Sequence, residues 1–252
     1  MSFRSLLLVG VAALALSACA TNRSSSGPSP DFAGQSQERT QAMLGELTAR
    51  YKQHPDDKAT IIYYSAALRA NGQPEQAVAV LEAGMSHHKR DQDIMVAFAK
   101  ALTAAGRFDQ ALNVIEDAID PTAPDWNALS VKGAILDQSG RNPEARAIYM
   151  QAIKIAPEQA SVHANLGLSY AMTNELEHAE AELRLAVKLR GATGQIRQNL
   201  ALVIGLQGRF EECQAMFAAE LPPAQVEANM AYIRALLTQQ NRWDLIKGAS
   251  SE

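Results

Sequence analysis

Two stretches of this chain, GRFDQALNVIEDAID at Gly106–Asp120 and GRNPEARAIYMQAIK at Gly140–Lys154, begin 34 residues apart. Each opens on Gly-Arg, places alanine five residues on, and places a large apolar residue four beyond that. The spacing continues in both directions. Gly72, Gly106, Gly140, Asn174 and Gly208 form one column, and Ala77, Ala111, Ala145, Ala179 and Cys213 a second. A third runs Ser65, Ala99, Gly133, Gly167, Ala201. The fourth is Leu68, Leu102, Leu136, Tyr170, Ile204, and the fifth Leu81, Ile115, Tyr149, Leu183, Phe217. Five units, 58–91, 92–125, 126–159, 160–193 and 194–227, follow without an insertion.

Self-similarity at such a period signals a stack of supersecondary units. The chain is 47% apolar but only 6% aromatic, with many alanines, which suits close-packed helices. Small residues in the second and third columns predict two successive helices whose backbones approach closely. Large residues of the fourth and fifth columns fill the space beside that contact. The glycine column predicts a left-handed cap ending each first helix, a place that tolerates Gly or Asn. Cys213 stands where the other units have alanine and is expected to be a small buried residue without reactivity.

The pattern resembles the tetratricopeptide repeat, two antiparallel helices in 34 residues with a proline near the end of the unit. Pro157 fits that last feature, Pro124 lies one residue off register, and the fourth unit has Gly191 instead. Trp126 opens the third unit, whereas the family's usual tryptophan position holds Leu129. The resemblance implies an all-α fold, a right-handed superhelical solenoid of five units plus capping helices. An N-terminal cap is expected over 37–57, and a C-terminal cap and tail over 228–252, the closing helix beginning near Pro222 and Trp243, Leu245 and Ile246 folding back. Terminal units need such caps to cover an apolar face.

Outside the repeats, the chain starts MSFR, then LLLVGVAALAL at Leu6–Leu16, then Ser17, Ala18 and Cys19. A basic start, a short apolar run and small residues before a cut make a secretory leader, here 1–18. The run falls short of the ~20 residues that span a bilayer. Leu16-Ser17-Ala18-Cys19 resembles the bacterial lipobox, which implies cleavage before Cys19 and a lipid on its sulfur. Ala20, where Asp favours inner-membrane retention in enteric lipoproteins, leans towards the outer membrane. Two or more acyl chains anchor stably. Residues 19–36, rich in Ser, Gly and Pro, make a flexible leash of roughly 20–25 Å typical span. With Cys19 committed to lipid, Cys213 has no disulfide partner.

No motif for chemistry emerges. His54, His87, His88, His163 and His178 lack metal-ligand spacing, and there is no nucleophile elbow, phosphate loop or H-E-x-x-H. The sequence therefore predicts no catalytic residue, no metal and no cofactor. Without Arg4 the chain carries 22 Lys and Arg against 27 Asp and Glu, a balance near −5. No basic stripe with interleaved aromatics exists, so nucleic acid is not an expected partner.

The expected working surface is the concave face lined by the first helix of each unit. By analogy with the repeat family, it takes in Tyr63, Val96, Lys100, Val131, Asn165, Leu168, Met172, Asn199 and Leu202. This set is more apolar than charged, which suits an amphipathic helix or an extended apolar peptide. Asn165 and Asn199 sit at one position, one unit apart. Either their amides bond a peptide backbone or they satisfy local groups.

The run QNLALVIGLQGRFEECQAMFAAELPPAQVEANMAYIRALL, Gln198–Leu237, resembles the TadD family of tight-adherence (Flp) pilus assembly lipoproteins. It shares with them Leu221-Pro222-Pro223, then Asn229 and the triplet Tyr232-Ile233-Arg234. Lipobox, leash and repeats agree in order. The resemblance implies a pilotin-like role at the periplasmic face of a Gram-negative outer membrane, held there by the lipid alone. It names the pilus secretin, or another envelope protein, as partner. A general periplasmic scaffold for peptidoglycan or other envelope machinery is the alternative.

Overall fold

The computed structural model describes residues 37–249, with side chains from Thr40 to Gln239. The leader, Cys19 and the leash lie outside the described residues. All regular structure described is helical: α1 Gln37–Gln53, α2 Lys58–Ala70, α3 Pro74–His87, α4 Gln92–Ala104, α5 Phe108–Ala118 and α6 Trp126–Gln138. There follow α7 Asn142–Ile155, α8 Ala160–Met172, α9 Leu176–Ala186, α10 Gly194–Leu206, α11 Phe210–Ala218 and α12 Pro223–Ala249. The five units are thus the pairs α2/α3, α4/α5, α6/α7, α8/α9 and α10/α11.

Each first helix stops as the glycine column requires. Gly72, Gly106, Gly140 and Gly208 have φ between +71° and +83°, and Asn174 has φ 64°. In each unit the next residue's N–H bonds back to the helix, as Arg107 does to the Leu102 carbonyl at 2.9 Å and Arg141 to Leu136 at 2.9 Å. That 6→1 bond, beside the glycine's own bond to the next carbonyl, satisfies groups a helix end leaves orphaned.

The starts of the first helices follow a column that the sequence reading passed over. Asp57, Asp91, Asp125 and Thr193 each accept a backbone N–H of the following turn, as Asp91 does from Asp93 at 3.0 Å and Ile94 at 3.2 Å. Gln159 holds the same place in the fourth unit without a side-chain cap bond. Asp91 also joins two units, because Lys58 Nζ lies 2.7 Å from it and 2.9 Å from Asp93.

Small residues let the paired helices close up. The third column, Ser65 to Ala201, is buried throughout. A Cβ on Gly133 would lie 2.5 Å from Tyr149 Cε1, and one on Gly205 would lie 2.8 Å from Cys213 Sγ. Cys213 is buried against Met230 Sδ at 3.5 Å, and burial pushes its thiol up to about 11. A neutral buried thiol is not a nucleophile. Cys213 should resist iodoacetamide at pH 8 in the folded protein and react within minutes in urea; rapid labelling of native protein would contradict its placement.

At the ends, α1 lays Met43, Leu44 and Leu47 against Ala66 and Ala67. The closing helix starts at Pro223, beside the expected Pro222, since proline suits the first turn of a helix. Val226, Met230 and Ile233 are buried in the C-terminal core, and Arg234 lies over the Phe210 ring at 5.8 Å. The expected fold-back at Trp243, Leu245 and Ile246 does not occur, because the helix runs unbroken to Ala249. Among the described residues no helix is long and apolar enough to cross a membrane.

Candidate functional site

The first helices form a row in which each meets the next: α2 contacts α4, α4 contacts α6, α6 contacts α8, and α8 contacts α10. The nine residues expected to line the concave face all fall on this row. Tyr63 is on α2, Val96 and Lys100 on α4, Val131 on α6, Asn165, Leu168 and Met172 on α8, and Asn199 and Leu202 on α10.

Burial divides them. Tyr63, Lys100 and Met172 are half-buried. Val96, Val131, Asn165, Leu168, Asn199 and Leu202 are buried, Leu168 to 1% exposure. The reason lies in the close approach of successive first helices, which makes much of the row a packing surface as well as a face. A charge placed at Leu168 would therefore test stability, not ligand capture.

The two asparagines also separate. Asn165 Nδ2 donates to Ser130 Oγ at 3.0 Å, tying α8 to α6, so this amide group serves a neighbouring unit. Asn199 accepts from Gln195 Nε2 at 3.2 Å on its own helix. Its Nδ2 is buried with no hydrogen-bond partner. A buried donor without a partner carries a penalty of about 1–3 kcal/mol, and at 1% exposure it lies inside the packing, not on the accessible face.

A second polar feature lies where the third unit meets the fourth. Asp137, near the end of α6, is 3% exposed. It accepts from Ser169 Oγ at 2.7 Å, Asn142 Nδ2 at 2.8 Å and Tyr149 OH at 3.0 Å. Burial pushes its carboxyl up to about 6 despite these donors. Beside it Arg146 bonds Glu175 Oε1 at 2.8 Å and the Ser169 carbonyl at 3.1 Å, and lies 4.3 Å from the centre of the Tyr170 ring. Nothing in the sequence reading singled out this cluster.

His163 bonds Glu182 at 2.8 Å and the Pro157 carbonyl at 3.1 Å. The Glu182 carboxylate holds its pKa above the ordinary value. His87 is the last residue of α3 and His88 its cap, where the chain leaves the helix. Among the described residues no group of three His, Cys, Asp or Glu side chains is placed to hold a metal.

Comparison with known proteins agrees with this architecture. A family model described as Tetratricopeptide repeat matches residues 68–134, and one described as TPR repeat matches 133–174. Neither is a catalytic domain. No curated protein matches the chain. Among solved structures it is similar to TTC0263, a thermophilic TPR protein of Thermus thermophilus, with TM-score 0.62 and 21% identity over 73% of this chain and 99% of that one. It is similar to the Cut9-Hcn1 assembly of the APC/C, with TM-score 0.61 and 12% identity over 83% of this chain and 41% of that one. A tetratricopeptide repeat protein of Parabacteroides merdae gives TM-score 0.56 and 16% identity over 85% and 87%. At these identities the likeness is one of fold.

Proposed function

We propose that this chain, whose residues 68–174 match tetratricopeptide-repeat models, is a scaffold for protein–protein contact and that its row of first helices holds a segment of an envelope protein, the secretin of a tight-adherence (Flp) pilus system. The observation that carries a peptide ligand is the accessible part of the row, where Tyr63, Lys100 and Met172 are half-buried beside apolar neighbours. An extended or helical segment brings apolar side chains and backbone groups to such a face. The choice of a pilus secretin rests on the likeness of Gln198–Leu237 to the TadD family.

The chain's place in the cell follows the same reading. A lipid on Cys19 holds the repeats at the periplasmic face of the outer membrane, within the short reach of the leash. Tether and row together raise the local concentration of secretin subunits at the membrane, which favours their assembly without an energy source.

The test is capture of secretin from a detergent extract of the envelope by the lipidated chain. Substituting the half-buried residues, Lys100→Glu with Met172→Glu, should lower capture at least tenfold with helical content unchanged. Equal capture would refute the assignment of the row. Capture of a peptidoglycan hydrolase or synthase in place of secretin would favour the general scaffold, and mass spectrometry finding Cys19 unmodified would remove the anchor.

A further inference from the structure

The junction between the third and fourth units breaks the repeat in four columns at once. Where the third unit has Asp137, the others have Arg69, Thr103, Ala171 and Gly205. Asn142 stands in a column of Pro74, Phe108, Leu176 and Phe210. Ser169 replaces the apolar Ala67, Ala101, Ile135 and Val203, and Tyr149 brings the one hydroxyl to Leu81, Ile115, Leu183 and Phe217. These four exceptions are the four members of the buried cluster. Separate drift in four columns would leave scattered polar groups; here Ser169, Asn142 and Tyr149 all donate to one carboxylate.

The apolar core divides at the same place. The N-terminal cluster ends with Val162 and Leu166 on one side of α8, and the C-terminal cluster begins with Ala160, Ala164 and Leu168 on the other. In a solenoid, stability is a sum of unit terms and nearest-neighbour interfaces. An interface that holds a buried carboxyl where no other unit has an acid is one whose strength depends on the charge of that carboxyl.

We propose that the contact of α6 and α7 with α8 is a proton-sensitive hinge in the array, tighter when Asp137 is neutral and looser when it is ionised. The inference is independent of the partner's identity. The groups that face Asp137 are few. From α7 come Asn142, Tyr149 and the Arg146 guanidinium; from α8 comes Ser169, with Tyr170 lying under Arg146. Glu175 holds Arg146 from beyond, and His178 stacks on Tyr170 at 5.1 Å. Arg146 is the nearest cation, yet it is turned towards Glu175, the Ser169 carbonyl and Thr173. It does not neutralise the carboxylate by direct contact.

The sign follows from burial. Folding raises the Asp137 pKa from about 3.9 in the open chain to about 6. The stabilisation is complete below the lower value and is lost as pH rises through the higher one. Between pH 5 and pH 7.5 the opening equilibrium of this junction should rise about tenfold. His163 acts in the same direction, since its folded pKa is also raised, and must be separated from Asp137.

Hydrogen exchange of the full lipidated chain in detergent, corrected for intrinsic rates, reads the effect. Amides of α7 and α8 should lose about tenfold in protection from pH 5 to pH 7.5, while those of α2 to α4 do not. D137N should remove most of the difference, leaving only the smaller share of His163, and H163Q and H178Q should keep most of it. The same dependence in D137N, or its loss in H163Q or H178Q, would overturn the hinge. If D137N fails to fold, carbon NMR of the wild-type carboxyl decides: titration near pH 6 supports the proposal, and titration near 4 overturns it.

Discussion

Tyr149→Ala is expected to lower the unfolding free energy by about 4 kcal/mol, the range found for removing a large buried aromatic. Among the described residues, Tyr149 is the largest side chain fully enclosed by the fold. Its ring lies on the bare backbone of Gly133, where even a methyl group has no room. Removing it leaves a cavity that the glycine cannot fill, and takes one of the three donors from Asp137. The two losses fall on one junction, so the urea transition should move to lower concentration. It should also broaden, because the units on either side unfold less in concert. Tyr149→Phe keeps the ring and removes only the hydroxyl, which should cost about 1–2 kcal/mol. Equal effects from the two variants would show that the ring packing had been overvalued.

Gly167→Ala is expected to destabilise by about 1 kcal/mol, against the ordinary preference of a helix interior for alanine. That preference is worth about 1 kcal/mol, whereas forcing a methyl into a filled space costs about 1–3 kcal/mol, occasionally more. At Gly167 the added carbon would meet Leu183 Cγ at 2.8 Å and the Ala179 carbonyl oxygen at 3.1 Å. A side chain can turn aside, but a helix carbonyl moves only with its helix, so α8 and α9 must separate. Gly45→Ala supplies the contrast, because nothing lies within 4 Å of its added carbon. It should stabilise α1 by up to about 1 kcal/mol. Thermal melts of both variants check the pair; a stabilised Gly167→Ala would refute the close approach of α8 to α9.

The column of small residues made that close approach legible before any coordinates. A helix pair in contact demands small side chains at the crossing, and Gly133, Gly167 and Ala201 recur at the required interval. The capping glycines were legible for a similar reason, since a left-handed residue is a local requirement that few side chains meet. The aspartate column at Asp57, Asp91 and Asp125 carried a signal of the same kind. It was overlooked because the fourth and fifth units replace it with Gln159 and Thr193.

The row of first helices was read less well. Position within a unit places Val96, Leu168 and Leu202 on it, but not how deeply the next helix covers them. Asn165 and Asn199, equivalent by register, differ because only one has a serine hydroxyl on the preceding first helix within reach. The Asp137 cluster was missed because its members are dispersed over three helices. In sequence each looks like an isolated departure from a column.

The amino-acid sequence by itself determined the period, the unit boundaries, the helix ends and the small-residue contacts, since each is set within one unit by chain geometry and side-chain size. Tertiary structure alone decided which residues of the row are accessible, which asparagine is left with an unmet donor, and that four polar exceptions meet around one carboxylate. These depend on distances between helices of neighbouring units, and burial, partner and charge state all follow from such distances.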